Sequence, residues 1–183
     1  MIRGQWTISN ALSLSRILLL VPISLLLLQD DPSKRWFVLA LIIVTAMTDM
    51  FDGILARRFN QVTEFGKVID PLADKTGIVV IGFILLLQHK IPLWFFIAVF
   101  LRDALILLGG LYLQRKKGIT LPSNTTGKWA AAVMTVYLIL SFLNLESLNE
   151  ITTILLALST LLLVLSFALY LRRFFTVMEV NKL

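Results

Sequence analysis

Six runs of about twenty mainly apolar residues, divided by short polar joints, set the first limit on what this 183-residue chain can become. They lie at 8–28, 36–57, 67–87, 91–113, 128–146 and 151–171. A helix of that length rises about 1.5 Å per residue and so crosses a hydrocarbon layer about 30 Å thick. No water is present there to satisfy backbone groups, which restricts a spanning chain to helices or a closed barrel. The strict apolar–polar alternation of barrel strands is missing. The expected fold class is therefore all-α, a polytopic membrane protein with six transmembrane helices in one bundle. Hydrophobic residues make up 58% of the chain, whereas an ordinary soluble domain has a little under half, so lipid is the expected solvent. The first run is too long for a signal-peptide core and lacks a small-residue cleavage site, so it reads as a retained helix. No joint is long enough to separate one domain from another, and a single membrane domain over 1–183 is expected.

The net charge is +6, which in a soluble protein would point to nucleic acid. Here the bases flank apolar runs, so they read as orientation signals and as partners for anionic ligands, with no nucleic acid implied. With both termini cytoplasmic, the inside receives Arg3, Arg16, Arg57, Arg58, Lys67, Lys75, Arg115, Lys116, Lys117, Lys128, Arg172, Arg173 and Lys182, which is 13 of the 17 basic residues. The outside receives Lys34, Arg35 and Lys90, and Arg102 stays within the fourth run. That asymmetry sets both ends inside. Cysteine is absent, which rules out disulfides and thiolate metal sites.

Acidic residues are scarce, 11 in all, and four of them gather where the second helix ends and the third begins. Asp49 and Asp52 are three apart, and Asp70 and Asp74 are four apart, so each pair shares a helical face. The short cytoplasmic joint from Arg58 to Phe65 lets the two faces oppose. Clustered carboxylates repel, and burial adds to the cost of ionising them, so protons or cations must offset the charge. Oxygen-only ligands without Cys or His suit a hard cation, Mg²⁺ or Mn²⁺, better than zinc. Two such ions would form the clamp used in phosphoryl transfer. The plainer alternative is an interfacial ion-pair network with Arg57, Arg58, Lys67 and Lys75. It suits each pair better than it suits all four, because acids in or near a span are costly. Gly53 and Ala56 bare the helix beside the carboxylates, and Gly66 does the same one turn before Asp70. Arg57 offers a rigid charged fork suited to a pyrophosphate. For Gly77, Gly82, Gly109 and Gly110 close helix packing is the preferred reading.

The run Asp49-x2-Asp52-Gly53-x2-Ala56-Arg57-x8-Gly66-x3-Asp70-x3-Asp74 resembles the complete signature of the CDP-alcohol phosphatidyltransferases, with all eight fixed positions at the expected spacing. Asn10 to Arg16 is similar to the Asn-x-Leu-Thr-x-x-Arg motif that opens that family. The resemblance implies a homodimer of six-helix protomers in the inner membrane, with the active site facing the cytoplasm. It implies that Asp49, Asp52, Asp70 and Asp74 hold two divalent ions against the pyrophosphate of CDP-diacylglycerol. Asn10, Gly53, Ala56, Arg57, Thr63 and Gly66 would line the CDP site, and Asp74 would be the catalytic general base. Its partners would be CDP-diacylglycerol, a small phosphorylated alcohol and the lipid bilayer, with CMP released.

Residues 49–61 and Leu72 to Lys75 are similar to the bacterial phosphatidylglycerophosphate synthases of the family, which implies glycerol 3-phosphate as acceptor. Its phosphate needs cations, and Arg102, Arg115, Lys128 and Arg172 are the candidates. Arg102 stands out because an arginine inside a span needs a partner, and neighbouring Asp103 is the local one on offer. Those synthases tend to carry Arg-Glu where this chain has Arg102-Asp103, and Gly-Lys-x-Lys where it has Gly127-Lys128-Trp129-Ala130. An Arg-Asp pair is more similar to the family's cardiolipin synthases, whose acceptor is phosphatidylglycerol; a phosphatidylinositol phosphate synthase is a third reading. Outside this class, a cation carrier would place its acids near the midplane of paired broken helices, and a membrane scaffold would not need the eight-position signature. His89 falls at an outer turn, and Trp6, Trp36, Trp94 and Trp129 fall near span ends as interfacial anchors.

Overall fold

Turn residues in the left-handed region and one proline divide the chain into helices. The protein's structure, a computed structural model, describes residues 8–58, 66–118 and 124–179, with side chains described for 18–45, 47, 76–116, 118 and 124–178. Among the described residues there are six α-helices and no strand: α1 (Ile8–Leu28), α2 (Arg35–Arg58), α3 (Gly66–Leu87), α4 (Leu93–Lys117), α5 (Thr125–Leu143) and α6 (Asn149–Glu179). Residues past the ends of four of them turn left-handed: Asp30 (φ 45°), His89 (φ 57°), Gly118 (φ 64°) and Asn144 (φ 47°). Glycine reaches that region without penalty, and Asn and Asp reach it more readily than most residues.

The helix limits differ from the apolar runs in ways that capping explains. Pro92, which has no N–H to give a helix interior, stands as the N-cap of α4. Gly118 ends that helix and donates its N–H to the Gln114 carbonyl. Helix α5 begins and ends three residues earlier than expected. Asn124 caps its start by accepting from the Gly127 N–H, and Asn144 closes it with an N–H to the Leu140 carbonyl. Helix α6 runs on to Glu179 because neither glycine nor proline interrupts 149–179.

The chain forms two units, one holding α1–α3 and the other α4–α6. In the first, α1 packs against both α2 and α3. Ile23 and Leu27 of α1, Val38 of α2, and Ile84 and Leu85 of α3 are buried apolar residues among those described. Gln88 ties the ends of α1 and α3 together, its Nε2 donating to the Leu27 carbonyl at 2.6 Å. That carbonyl is one a helix end leaves without an internal partner. Nearby Asp31 accepts from the Ser33 hydroxyl at 2.7 Å and the Ser33 N–H at 2.9 Å. These bonds, with Lys34 beside them, hold its carboxyl below the ordinary aspartate range.

In the second unit α6 packs against α5 and α4. Phe95 of α4 meets Tyr137 of α5 edge to face, with centroids 5.0 Å apart. Polar and aromatic pairs then link α4 to α6: Arg102 with Ser166, Ile106 with Tyr170, and Tyr112 with Phe174. The offset is 64 residues for the first two pairs, so the two helices run parallel in one register. Gly109 lies within this seam. A Cβ there would sit 2.6 Å from the Tyr170 hydroxyl, so glycine permits the approach. At Gly77 and Gly110 a Cβ meets nothing within 4 Å among the described residues. Gly82 is buried, in keeping with the packing reading.

Large apolar side chains are exposed on the described helices. Leu93, Ile97, Phe100, Leu101, Leu105 and Leu108 of α4 are all exposed, as are Ile151, Ile154, Leu158, Leu161 and Leu165 of α6. A soluble protein rarely leaves apolar patches so large in water. Helices α4, α5 and α6 are each long and apolar enough to cross a bilayer, and shorter apolar stretches run through Leu18–Leu28 and Thr76–Leu87 among the described residues. Trp36 and Trp94 are exposed in the first turns of α2 and α4, positions that suit interfacial anchors. The chain is an integral membrane protein.

Candidate active site

Helical backbone runs without interruption through both acidic pairs. Asp49, Asp52, Gly53, Ala56 and Arg57 occupy the last three turns of α2, and Gly66, Asp70 and Asp74 the first three turns of α3. Positions three and four apart on a helix differ by roughly 60° and 40° around its axis. Each aspartate pair therefore shares a face, as the spacing predicts. Asn10 lies in the first turn of α1, the helix that packs on both α2 and α3. The side chains of Asn10, Asp49, Asp52, Ala56, Arg57, Asp70 and Asp74 lie outside the described residues, and so does Thr63 altogether. The donor set itself, four carboxylates with neither Cys nor His among them, fits a hard divalent cation.

In the second unit the four cationic candidates fare differently. Arg115 is exposed and walls an open groove of about 620 Å³ with Leu108, Leu111, Tyr112 and Lys116. Lys116 is held against Tyr112, donating to its hydroxyl at 2.9 Å. Lys128 is exposed in the first turn of α5, and Arg172 is exposed on α6.

Arg102 is different. Its side chain is only 20% exposed, and its Nη1 donates to Asp103 Oδ1 at 2.6 Å. The local partner expected for an in-span arginine is therefore present. Its Nη2 donates to the Ser166 hydroxyl of α6, also at 2.6 Å. Ser166 is 1% exposed, and its carbonyl accepts from Asn124 Nδ2 at 3.4 Å. Asn124 Oδ1 in turn accepts from the Gly127 N–H at 2.6 Å. Five residues, from α4, α6 and the start of α5, thus close on one point, of which only Arg102 and its neighbour Asp103 stand out in the sequence. Ser166 does leave a trace there. Ser159, Ser166 and Tyr170 follow one another at seven and four residues, which draws a polar stripe along an otherwise apolar helix.

A family model for CDP-alcohol phosphatidyltransferase matches residues 6–172, which include both acidic pairs and the Arg102 cluster. The chain belongs to the CDP-alcohol phosphatidyltransferase family and is a phosphatidyltransferase. It is 31% identical over 170 residues to a CDP-diacylglycerol–glycerol-3-phosphate 3-phosphatidyltransferase of Aquifex aeolicus, covering 89% of this chain and 93% of that one. It is 42% identical over 91 residues to the enzyme of the same name from Escherichia coli, covering 49% of each chain. With that of Cereibacter sphaeroides it shares 40% identity over 77 residues, 42% of this chain and 35% of the other.

Proposed function

We propose that this protein transfers the phosphatidyl group of CDP-diacylglycerol to glycerol 3-phosphate, giving phosphatidylglycerophosphate and CMP. The observation that carries this reading is the likeness to the Aquifex aeolicus enzyme of that name, which runs through 89% of the chain. Asp74 acts as general base, taking the proton of the acceptor hydroxyl as its oxygen attacks the lipid-side phosphorus. A new phosphorus–oxygen bond forms, the pyrophosphate link breaks, and CMP departs with the bridging oxygen. Asp49, Asp52, Asp70 and Asp74 hold two divalent ions, Mg²⁺ or Mn²⁺, whose chemistry is to neutralise phosphate oxygens and the leaving group. Asn10, Gly53, Ala56, Arg57, Thr63 and Gly66 form the CDP site, and Arg57 offers its fork to the phosphates. Arg102, with Arg115, Lys128 and Arg172, receives the acceptor phosphate.

The architecture in this reading is one membrane domain of six spans, with both termini in the cytoplasm. It sits in the inner membrane as a homodimer, and the active site opens to the cytoplasm. The 13-to-3 division of basic residues supports that orientation.

The test is CMP release by purified protein in detergent with CDP-diacylglycerol and Mg²⁺, comparing glycerol 3-phosphate, phosphatidylglycerol and inositol phosphate. Release confined to glycerol 3-phosphate supports the reading. Release only with phosphatidylglycerol would make the enzyme a cardiolipin synthase, the acceptor class that the Arg102–Asp103 pair favours. Silence with all three would sink the acceptor assignments together. Asp74→Asn should lower turnover by about 10²- to 10⁴-fold with helical content unchanged. Stripping divalent ions with EDTA should stop wild-type turnover, and restoring Mg²⁺ should recover it.

A further inference from the structure

We propose that Ser166 is the positioning residue for Arg102, fixing the plane of its guanidinium so that it presents its charge to the acceptor phosphate in one orientation. The inference rests on the reading of Arg102 as a phosphate-binding residue and adds what holds it. An arginine stem has many rotamers, and one bond to Asp103, its neighbour on the same helix, leaves the fork free to swing about that contact. A second bond from a different helix, Nη2 to the Ser166 hydroxyl at 2.6 Å, removes that freedom. The choice of hydroxyl matters electrostatically. Asp103 already sets one negative charge against the guanidinium at 2.6 Å. A second carboxylate would cancel the attraction for an anion, whereas a neutral acceptor orients the group and leaves its charge alone.

Ser166 is itself held. Its carbonyl takes the Asn124 amide at 3.4 Å, and the same Asn124 caps α5 through the Gly127 N–H. Gly127 is the gap that lets these groups meet. A Cβ there would stand 2.5 Å from Asn124 Oδ1, 3.3 Å from Ser166 Oγ and 3.6 Å from Arg102 Nη2. The orientation of Arg102 is therefore tied to the start of α5 through two residues that need not touch substrate.

Steady-state kinetics of full-length protein in detergent, varying glycerol 3-phosphate at saturating CDP-diacylglycerol, tests this. Ser166→Ala and Ser166→Cys should each raise KM for glycerol 3-phosphate about five- to tenfold, the usual net scale for losing one hydrogen bond. The value of kcat and the KM for CDP-diacylglycerol should hold, and Ser166→Thr should restore KM. Cysteine fills the serine volume but accepts a hydrogen bond weakly, so wild-type KM in Ser166→Cys would reduce the residue to packing and overturn the proposal. Because Ser166 acts through Arg102, adding Ser166→Cys to Arg102→Gln should raise KM no further; additive losses would overturn it. If Arg102→Gln alone leaves KM unchanged, the phosphate role of Arg102 fails and the positioning role with it. If Arg102→Gln raises KM and the Ser166 variants do not, only the positioning role falls.

Discussion

At Gly109 a single hydrogen atom decides how α4 and α6 meet. The Tyr170 hydroxyl donates to the Ile106 carbonyl at 3.0 Å, and a Cβ on residue 109 would stand 2.6 Å from that oxygen. Gly109→Ala must therefore push the tyrosine off its acceptor. Hydrogen bonds between membrane helices contribute about 0.6 kcal/mol on average and up to about 1.7. Gly109→Ala should lower the thermal midpoint in detergent by a loss of about 1–2 kcal/mol once strain is added to the lost bond. Tyr170→Phe, which removes only the oxygen, should cost about 0.6–1 kcal/mol. The double variant decides the matter. With the hydroxyl gone the new methyl has room, so Gly109→Ala/Tyr170→Phe should melt no lower than Tyr170→Phe alone; a summed loss would show that Gly109 serves backbone packing instead.

The scale of elements shows where hydropathy stops being informative. All six helices lie where apolar runs of about twenty residues forecast them, because burying or immersing apolar surface is a property of composition. Their ends are set by other chemistry. The three-residue shift of α5 belongs to Asn124 and Asn144, which fix its limits by capping and by adopting φ 47°, while the apolar run itself would have allowed either register. The same reasoning gives a prediction. Asn144→Gly should leave stability unchanged or slightly higher, since glycine enters the left-handed region freely. Asn144→Val should cost about 1–2 kcal/mol by the same measure, because a β-branched residue resists positive φ. The acidic signature was legible because its spacing is local, three and four residues within a helix. The hold on Arg102 was not, because Ser166 lies 64 residues away and only the parallel packing of α4 and α6 brings them together.

At the scale of the whole molecule the governing fact is the apolar surface that the described helices expose, and the open quantity is which ends of the helices face which compartment. Six consecutive spans would put residues 29–34, 88–92 and 144–148 on one side, and 59–65, 118–124 and the C-terminal residues on the other. Basic residues argue that the second side, to which the N-terminal residues also belong, is the cytoplasm, since 13 of the 17 lie in its segments or in the helix ends that adjoin them. The chain is well suited to a direct test because it contains no cysteine, so each introduced thiol is unique. Ser33→Cys and Glu146→Cys, both exposed beyond helix ends, should react with a membrane-impermeant maleimide in intact cells. Gln114→Cys, exposed near the end of α4, and Thr176→Cys, exposed near the end of α6, should react only after permeabilisation. A complete reversal would preserve six spans but place the acidic pairs on the face away from soluble glycerol 3-phosphate in the cytoplasm, which the proposed reaction cannot tolerate. Labelling of Ser33→Cys and Glu146→Cys from opposite sides would break the alternation itself. The number of crossings between those positions would then be odd, and one of α2 to α5 would have to lie outside the bilayer core or re-enter it.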